Sequence, residues 1–270
     1  MRIVRETDYS VEVELGDLSV IMLSDGETGM PTSSLHGPDG APLPAEALAS
    51  ADLLAGQLRL PVRAFVVRGP AECLLIDSGA GRAWHSTLGH LPGAMIEAGI
   101  GPGEVTMIAL THTHLDHVSG LVDADGGLAF PNARRLLVAT EELSAFRAIA
   151  RMIPVLPRVM PLEQGDGPMR GVTAINAPGH SPGHMAFLVE GRLLIWGDVV
   201  HHAAVQFARP EVTWAFDADP DMARVTRLEL MEQAVEAGWL VAGAHLPWPG
   251  IGSIARAGHG YAFHPATRGA

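Results

Sequence analysis

The 270-residue chain carries a net charge of −12, and all 18 of its basic residues are arginine. An acidic chain without a basic run argues against a nucleic-acid substrate, and the absence of lysine removes it as nucleophile, Schiff base or anion anchor. No uncharged apolar segment is long enough to span a bilayer, and the amino terminus lacks the apolar core of an export signal, so no membrane association and a cytoplasmic location are expected.

Residues 11–24 alternate in polarity (Val11, Val13, Leu15, then Leu18, Val20, Met22), which predicts a hairpin turning at Gly16-Asp17. From 25 to 47 the composition shifts to Gly, Pro, Ser and Thr, as in a long surface loop, which can cap a pocket or form a homodimer contact; both readings stay open. Residues 60–67 and 73–76 predict a second hairpin through Arg68-Gly69-Pro70, ending at Asp77-Ser78-Gly79. Cys73, the single cysteine, falls in this apolar run and reads as core packing, with no partner for an internal disulfide. A helix is expected over 88–98, closing at Gly99, and a buried strand over 105–110. Further on, 135–139 reads as a strand, 141–152 as a helix, 171–176 and 239–242 as strands, and 185–189 with 192–196 as a third hairpin around Glu190-Gly191. Residues 221–237 carry a helical pattern started by Asp219-Pro220.

The densest chemistry lies in 111–120, where His112-x-His114-x-Asp116-His117 follows the 105–110 strand directly. Residues two apart on an extended backbone point the same way, so His112 and His114 share a side. Asp116 and His117 follow as the chain turns. Neutral imidazoles and carboxylates are ligands for zinc-like divalent ions. A polar loop rich in histidine is the plainer reading of this stretch, but strand-like segments end at polar residues four more times, at Asp77, His180, Asp198 and His245. Strands mixed with helices predict a layered α/β fold, and open α/β sheets build their sites at strand carboxyl ends.

In this order, the His112–His117 motif, His180, Asp198 and His245 resemble the metallo-β-lactamase superfamily, with Asp77-Ser78-Gly79 matching its Asp-x-Gly turn. The resemblance implies a four-layer αβ/βα sandwich with two mixed β-sheets face to face, as one hydrolase domain over residues 1–270. It also implies two divalent metals, zinc first, with manganese, cobalt or iron as other occupants. His112, His114 and His180 would hold one metal and Asp116, His117 and His245 the other. Asp198 would bridge them, as the shared anion that two close cations need. Asp77 would orient a ligand imidazole, while His184, His201 and His202 would stand behind the ligands or serve the structure. His36 and His85 belong to the surface or the pocket rim.

The segments Leu75–Gly81, His180–His184, Gly197–His201 with Ala203–Phe207, and Ala244–Gly252 are similar to methyl parathion hydrolase and its lactonase and arylesterase relatives. The expected reaction is attack of a metal-bridged hydroxide on a lactone or aryl ester carbonyl, with phosphotriesterase side activity; Asp116 and Asp198 are the catalytic carboxylates. Thioester hydrolysis, β-lactam hydrolysis and a non-hydrolytic iron redox protein are the alternatives. Leu246 and Trp248, following His245, are the candidate substrate-pocket residues, and an apolar rim suits a small uncharged ester-like substrate.

Overall fold

The structure is a computed structural model that describes residues 2–82 and 84–268. The first part of the chain contributes β1 (Arg2–Glu6), β2 (Ser10–Leu15), β3 (Leu18–Met30), the short β4 (Leu35–His36) and β5 (Leu53–Leu54), and β6 (Gln57–Arg68). It continues with β7 (Cys73–Ile76), β8 (Met107–Ala109), β9 (Arg135–Ala139) and β10 (Val159–Leu162). All but β4 form one sheet in the order β1-β2-β3-β6-β7-β8-β9-β10, with β5 on the flank of β6. A second sheet, in the order β11-β12-β13-β15-β16-β17, uses β11 (Val172–Asn176), β12 (Met185–Val189), β13 (Leu193–Ile195), β15 (Leu240–Ala242), β16 (Ile251–Ala257) and β17 (Gly260–Pro265). The intervening β14 (Thr213–Trp214) pairs only with β4.

Side-chain parity decides the layering. On β3, β6, β7 and β8, residues Val20, Met22, Phe65, Val67, Leu74, Ile76, Met107 and Ala109 enter one buried cluster. Phe187, Leu193, Ile195 and Ala242 of the second sheet enter the same cluster, which is the core between the sheets. Their neighbours Ile21, Leu23, Ala64, Val66, Leu75 and Ile108 point the other way, into a cluster shared with Leu91, Met95 and Phe146 of helices α1 (Leu91–Glu97) and α3 (Leu143–Ala148). Leu194 and Val241 turn outward onto Leu230, Met231 and Ala234 of α5 (Pro220–Ala237). Helix, sheet, sheet, helix is the four-layer sandwich. Strands buried on both faces read as continuous apolar runs, which is how the central strands look in the sequence.

All three predicted hairpins are present, and α5 starts where expected, with the Asp219 carboxylate accepting from Met222 N at 2.9 Å as an N-cap. Three expectations need correction. Residues 25–30 belong to β3 rather than to a surface loop, and buried Asp25 accepts from the amides of Ala80, Gly89 and Leu91. The helix expected over 88–98 begins only at Leu91, because Leu88 is bridged to Gly26. The helix expected over 141–152 breaks after Ala148, where Ile149 turns to ψ 101 and a 3-10 stretch with Pro154 and Pro157 follows. Strands β1, β4, β5, β10, β14, β16 and β17 are not among the expected elements.

Topology gathers the polar strand ends. Strands β7, β8 and β9 run parallel, as do β13 and β15. Strand β11 is antiparallel to β12 and β12 to β13, so β11 shares the direction of β13. Asp77, His112, Asp198 and His245 therefore leave their sheets at carboxyl ends, and the chain reaches His180 just beyond β11.

Candidate metal centre

One turn of helix, α2 (Leu115–Val118), follows the extended His114 and turns Asp116 and His117 back toward His112. The loop is gripped by the turn after β7. Ser78 donates to the His117 carbonyl through its amide (2.7 Å) and its hydroxyl (2.9 Å), and Gly120 N donates to Gly79 O (3.1 Å). Asp77 holds φ +61, a left-handed conformation that a short polar side chain tolerates. From there its carboxylate accepts from His117 Nδ1 (2.8 Å), Thr111 N (2.8 Å) and Thr111 Oγ1 (2.8 Å). Gly197, at φ +53, aims Asp198 inward; a Cβ there would lie 2.7 Å from His184 Nε2.

All seven predicted ligand residues meet. Asp198 Oδ2 is 3.1 Å from His245 Nε2, 3.3 Å from His180 Nε2 and 3.7 Å from His112 Nε2, and Oδ1 is 3.2 Å from His117 Nε2. Asp116 Oδ2 lies 3.4 Å from His117 Nε2 and 3.6 Å from His245 Nε2, and His114 Nδ1 lies 2.9 Å from His180 Nε2. Two donor sets that share no residue follow, His112-His114-His180 and Asp116-His117-Asp198-His245, and a third, His180-Asp198-His201, overlaps both; the donor atoms of each set lie within 4.8 Å of one another. His112 Nε2, His117 Nε2 and Asp198 Oδ1 are buried without a hydrogen-bond partner. Buried polar atoms are rarely left so, and converging lone pairs of this kind fit a metal ion.

The electrostatics agree. Burial alone would lower the His117 pKa, but Asp198, Asp116 and Asp77 together hold it well above the ordinary value; Asp198 and Asp116 likewise outweigh burial at His245. That field favours a cation of any kind. Burial, reinforced by neighbouring histidines, lowers His112 and His114 and keeps them neutral, as ligation requires.

Around the centre, His184 Nε2 accepts from Asp198 N (3.0 Å), behind the cluster as expected. His202 bonds Asp52 O and serves the structure. His201 departs from expectation: it faces the cleft, Nε2 is 3.3 Å from Asp198 Oδ2, and neither ring nitrogen has a hydrogen-bond partner. Its ring stacks between Trp214 and His245, and burial pushes its pKa down to about 4.

The cleft over the centre has a volume of about 300 Å³, walled by Met30, Leu60, Trp84, Leu115, Trp214 and Phe216, with no arginine in its lining. Neither predicted pocket residue belongs to it. Leu246 is fully buried in the core under α5, and its carbonyl accepts from Arg63 Nε at 2.9 Å. Trp248 stands outside, its indole N–H donated to Glu6 and its ring under Arg63. Adjacency to a ligand in sequence does not set the direction of a side chain. His36, paired in β4, and exposed His85, bonded to Thr87, are also absent from the lining. The walls are large apolar residues drawn from five separate segments of the chain, and no local spacing marks them.

The chain matches the metallo-beta-lactamase superfamily over residues 58–245, and it belongs to that family. Among solved structures it is similar to the hydrolase AbOPH of the β-lactamase superfamily, at 30% identity and TM-score 0.85, over 97% of this chain and 99% of that one. AidC, a dizinc quorum-quenching lactonase, shares the fold at 24% identity and TM-score 0.83, over 96% and 98% of the two chains. An atrochrysone carboxyl ACP thioesterase from Aspergillus fumigatus is 31% identical over 150 residues, 54% of this chain; the match spans 42% of that protein's length. No helix among the described residues is long and apolar enough to cross a membrane.

Proposed function

We propose that this metallohydrolase binds two divalent metals, zinc first, and hydrolyses small uncharged lactones or aryl esters, with phosphotriesters as side substrates. The observation that carries the reading is the Asp198 carboxylate, whose oxygens lie within 3.3 Å of ligand nitrogens from both donor sets. His112, His114 and His180 would hold one ion, Asp116, His117 and His245 the other, and Asp198 both. Such a pair supplies a water of pKa about 7 and a Lewis acid for the carbonyl or phosphoryl oxygen.

The chain's own residues supply the rest. Asp77 fixes the ring of His117 through Nδ1, and the Pro61 carbonyl fixes that of His245 at 2.7 Å. Trp84, Trp214 and Phe216 bind an apolar acyl or aryl group and exclude water from it. Asp116 borders the cleft, and in this reading its carboxylate takes the proton released by the attacking water and passes it to the departing oxygen. Away from the donor residues the cleft is lined by apolar side chains, which offer an anionic substrate no counter-charge.

The fungal thioesterase relative supports a second reading, thioester hydrolysis at the same centre. The test is metal analysis of purified protein with a panel of lactones, aryl esters, phosphotriesters, thioesters and a β-lactam. Two metals per chain and turnover of lactones or aryl esters, lost on chelation and regained with zinc, are expected. Less than one metal per chain, or activity that survives chelation, sinks the metal reading; turnover confined to thioesters or β-lactams replaces the substrate class.

A further inference from the structure

His117, His180 and His245 are each oriented through Nδ1, the nitrogen that faces away from the cluster, and one of the orienting groups also holds the cleft wall. Asp217 lies between β14 and α5, and its side chain is fully buried. Its Oδ1 accepts from His180 Nδ1 at 2.9 Å, which leaves His180 Nε2 as a lone pair facing Asp198 and His114. Its Oδ2 accepts from the amide of Trp214 at 2.8 Å. The flanking backbone closes the same joint: Ala218 N donates to His180 O, Asp219 N to Gly179 O, and Asp217 N to Trp214 O. Trp214 and Phe216 form one part of the cleft wall. One carboxylate thus ties a metal-ligand candidate to the surface against which substrate would lie.

We propose that Asp217 is a positioning residue that holds His180 in its metal-binding tautomer and sets the Trp214 wall in register with the centre. The proposal rests on the metal reading above. Partners of this kind, when removed, cost 10–100-fold in metal affinity. The loss should fall on the His112-His114-His180 set alone, because Asp77 and the Pro61 carbonyl serve His117 and His245 independently. Asparagine can accept from His180 or from Trp214 N through its single carbonyl oxygen, but not from both in the present geometry. Alanine serves neither.

The experiment titrates full-length wild type, Asp217→Asn and Asp217→Ala with zinc against a competing chelator. Apo-protein melting and the KM and kcat of an aryl ester at saturating zinc are measured alongside. In Asp217→Ala one zinc step should weaken 10–100-fold while the other stays within about threefold. Asp217→Asn should fall between, and KM should rise in both variants more than kcat falls; the apo melt should stay near wild type in Asp217→Asn and drop in Asp217→Ala, which leaves two buried donors unpaired. The role of Asp217 is refuted if both steps keep wild-type affinity in Asp217→Ala, or if both weaken together with a lowered apo melt in both variants. Wild-type protein that binds no zinc would overturn the metal reading and this inference with it; two tight sites in wild type that persist in Asp217→Ala overturn only this inference.

Discussion

Gly120→Ala sets two effects of opposite sign against each other at the metal centre. Gly120 lies outside the left-handed region, in a 3-10 turn directly after α2. Helical propensity alone would therefore favour alanine by up to about 1 kcal/mol. A Cβ at this position would, however, fall far inside 3.0 Å of the Ser78 carbonyl oxygen, which is backbone and cannot rotate away. The Ser78 turn and the His117 loop would have to part by about 1 Å, since close-packed interiors offer no slack. Three hydrogen bonds join them, Ser78 N and Oγ to His117 O and Gly120 N to Gly79 O. At about 1 kcal/mol each, with further cost for buried groups left unpaired, the loss is about 3–5 kcal/mol. The clash outweighs propensity by about 3 kcal/mol, which is roughly 6–12 °C in Tm for a chain of this size. The same movement draws His117 out of the cluster, so zinc affinity should fall with stability. Urea and thermal melts of the apo protein, with zinc competition, measure both. A variant within 1 kcal/mol of wild type that binds zinc normally would refute the argument. The internal control is Gly93→Ala, in α1 with no atom within 4 Å of a Cβ, which should gain about 0.5 kcal/mol.

Phe216→Ala and Trp84→Ala, at the cleft mouth, should raise KM for aryl esters about fivefold each with kcat within twofold, the loss of about 1 kcal/mol of apolar contact; an unchanged KM would remove them from the binding surface. Burial pushes the Cys73 thiol up to about 11 from 9.0. Native protein at pH 8 should therefore resist iodoacetamide until unfolded, and rapid labelling would contradict the burial. The raised thiol contributes stability that is complete below pH 9 and lost as pH rises through 11, because the unfolded chain ionises first. Cys73→Ala should remove that part of the alkaline decline in Tm, which a parallel pH series would show.

The parts of the molecule that were legible in the sequence share a physical cause. Strands 11–15, 18–23, 73–76 and 135–139 sit between two apolar layers or show clean alternation, and local composition reports that environment directly. The donor residues stand at strand ends, so their spacing follows from the chain's exit from a strand. What the sequence concealed depends on distant partners. The hairpin of β16 and β17 contains Gly252, Ser253, Arg256 and His264, whose polarity blurs the alternation although every residue is paired. The helix expected over 141–152 has helical composition, but Pro154 and Pro157 lie beyond the window that suggests it. Asp217 is 37 residues from the His180 it holds. Trp84 joins Trp214 and Phe216 in one wall although it lies 130 residues before Trp214 in the chain.

The two sheets are contiguous in sequence, with strands β1–β10 ending at Leu162 and β11 starting at Val172. His112, His114, Asp116 and His117 lie on one side of that junction, and His180, Asp198 and His245 on the other. A chain severed in the exposed 165–167 connection would give two pieces, each with one sheet, one apolar face and an incomplete set of donors. Neither donor set is confined to one piece, so a bound ion would act as a suture between fragments. Zinc should then govern whether the severed protein stays whole, which makes this chain a natural starting point for a split reporter that reassembles on metal.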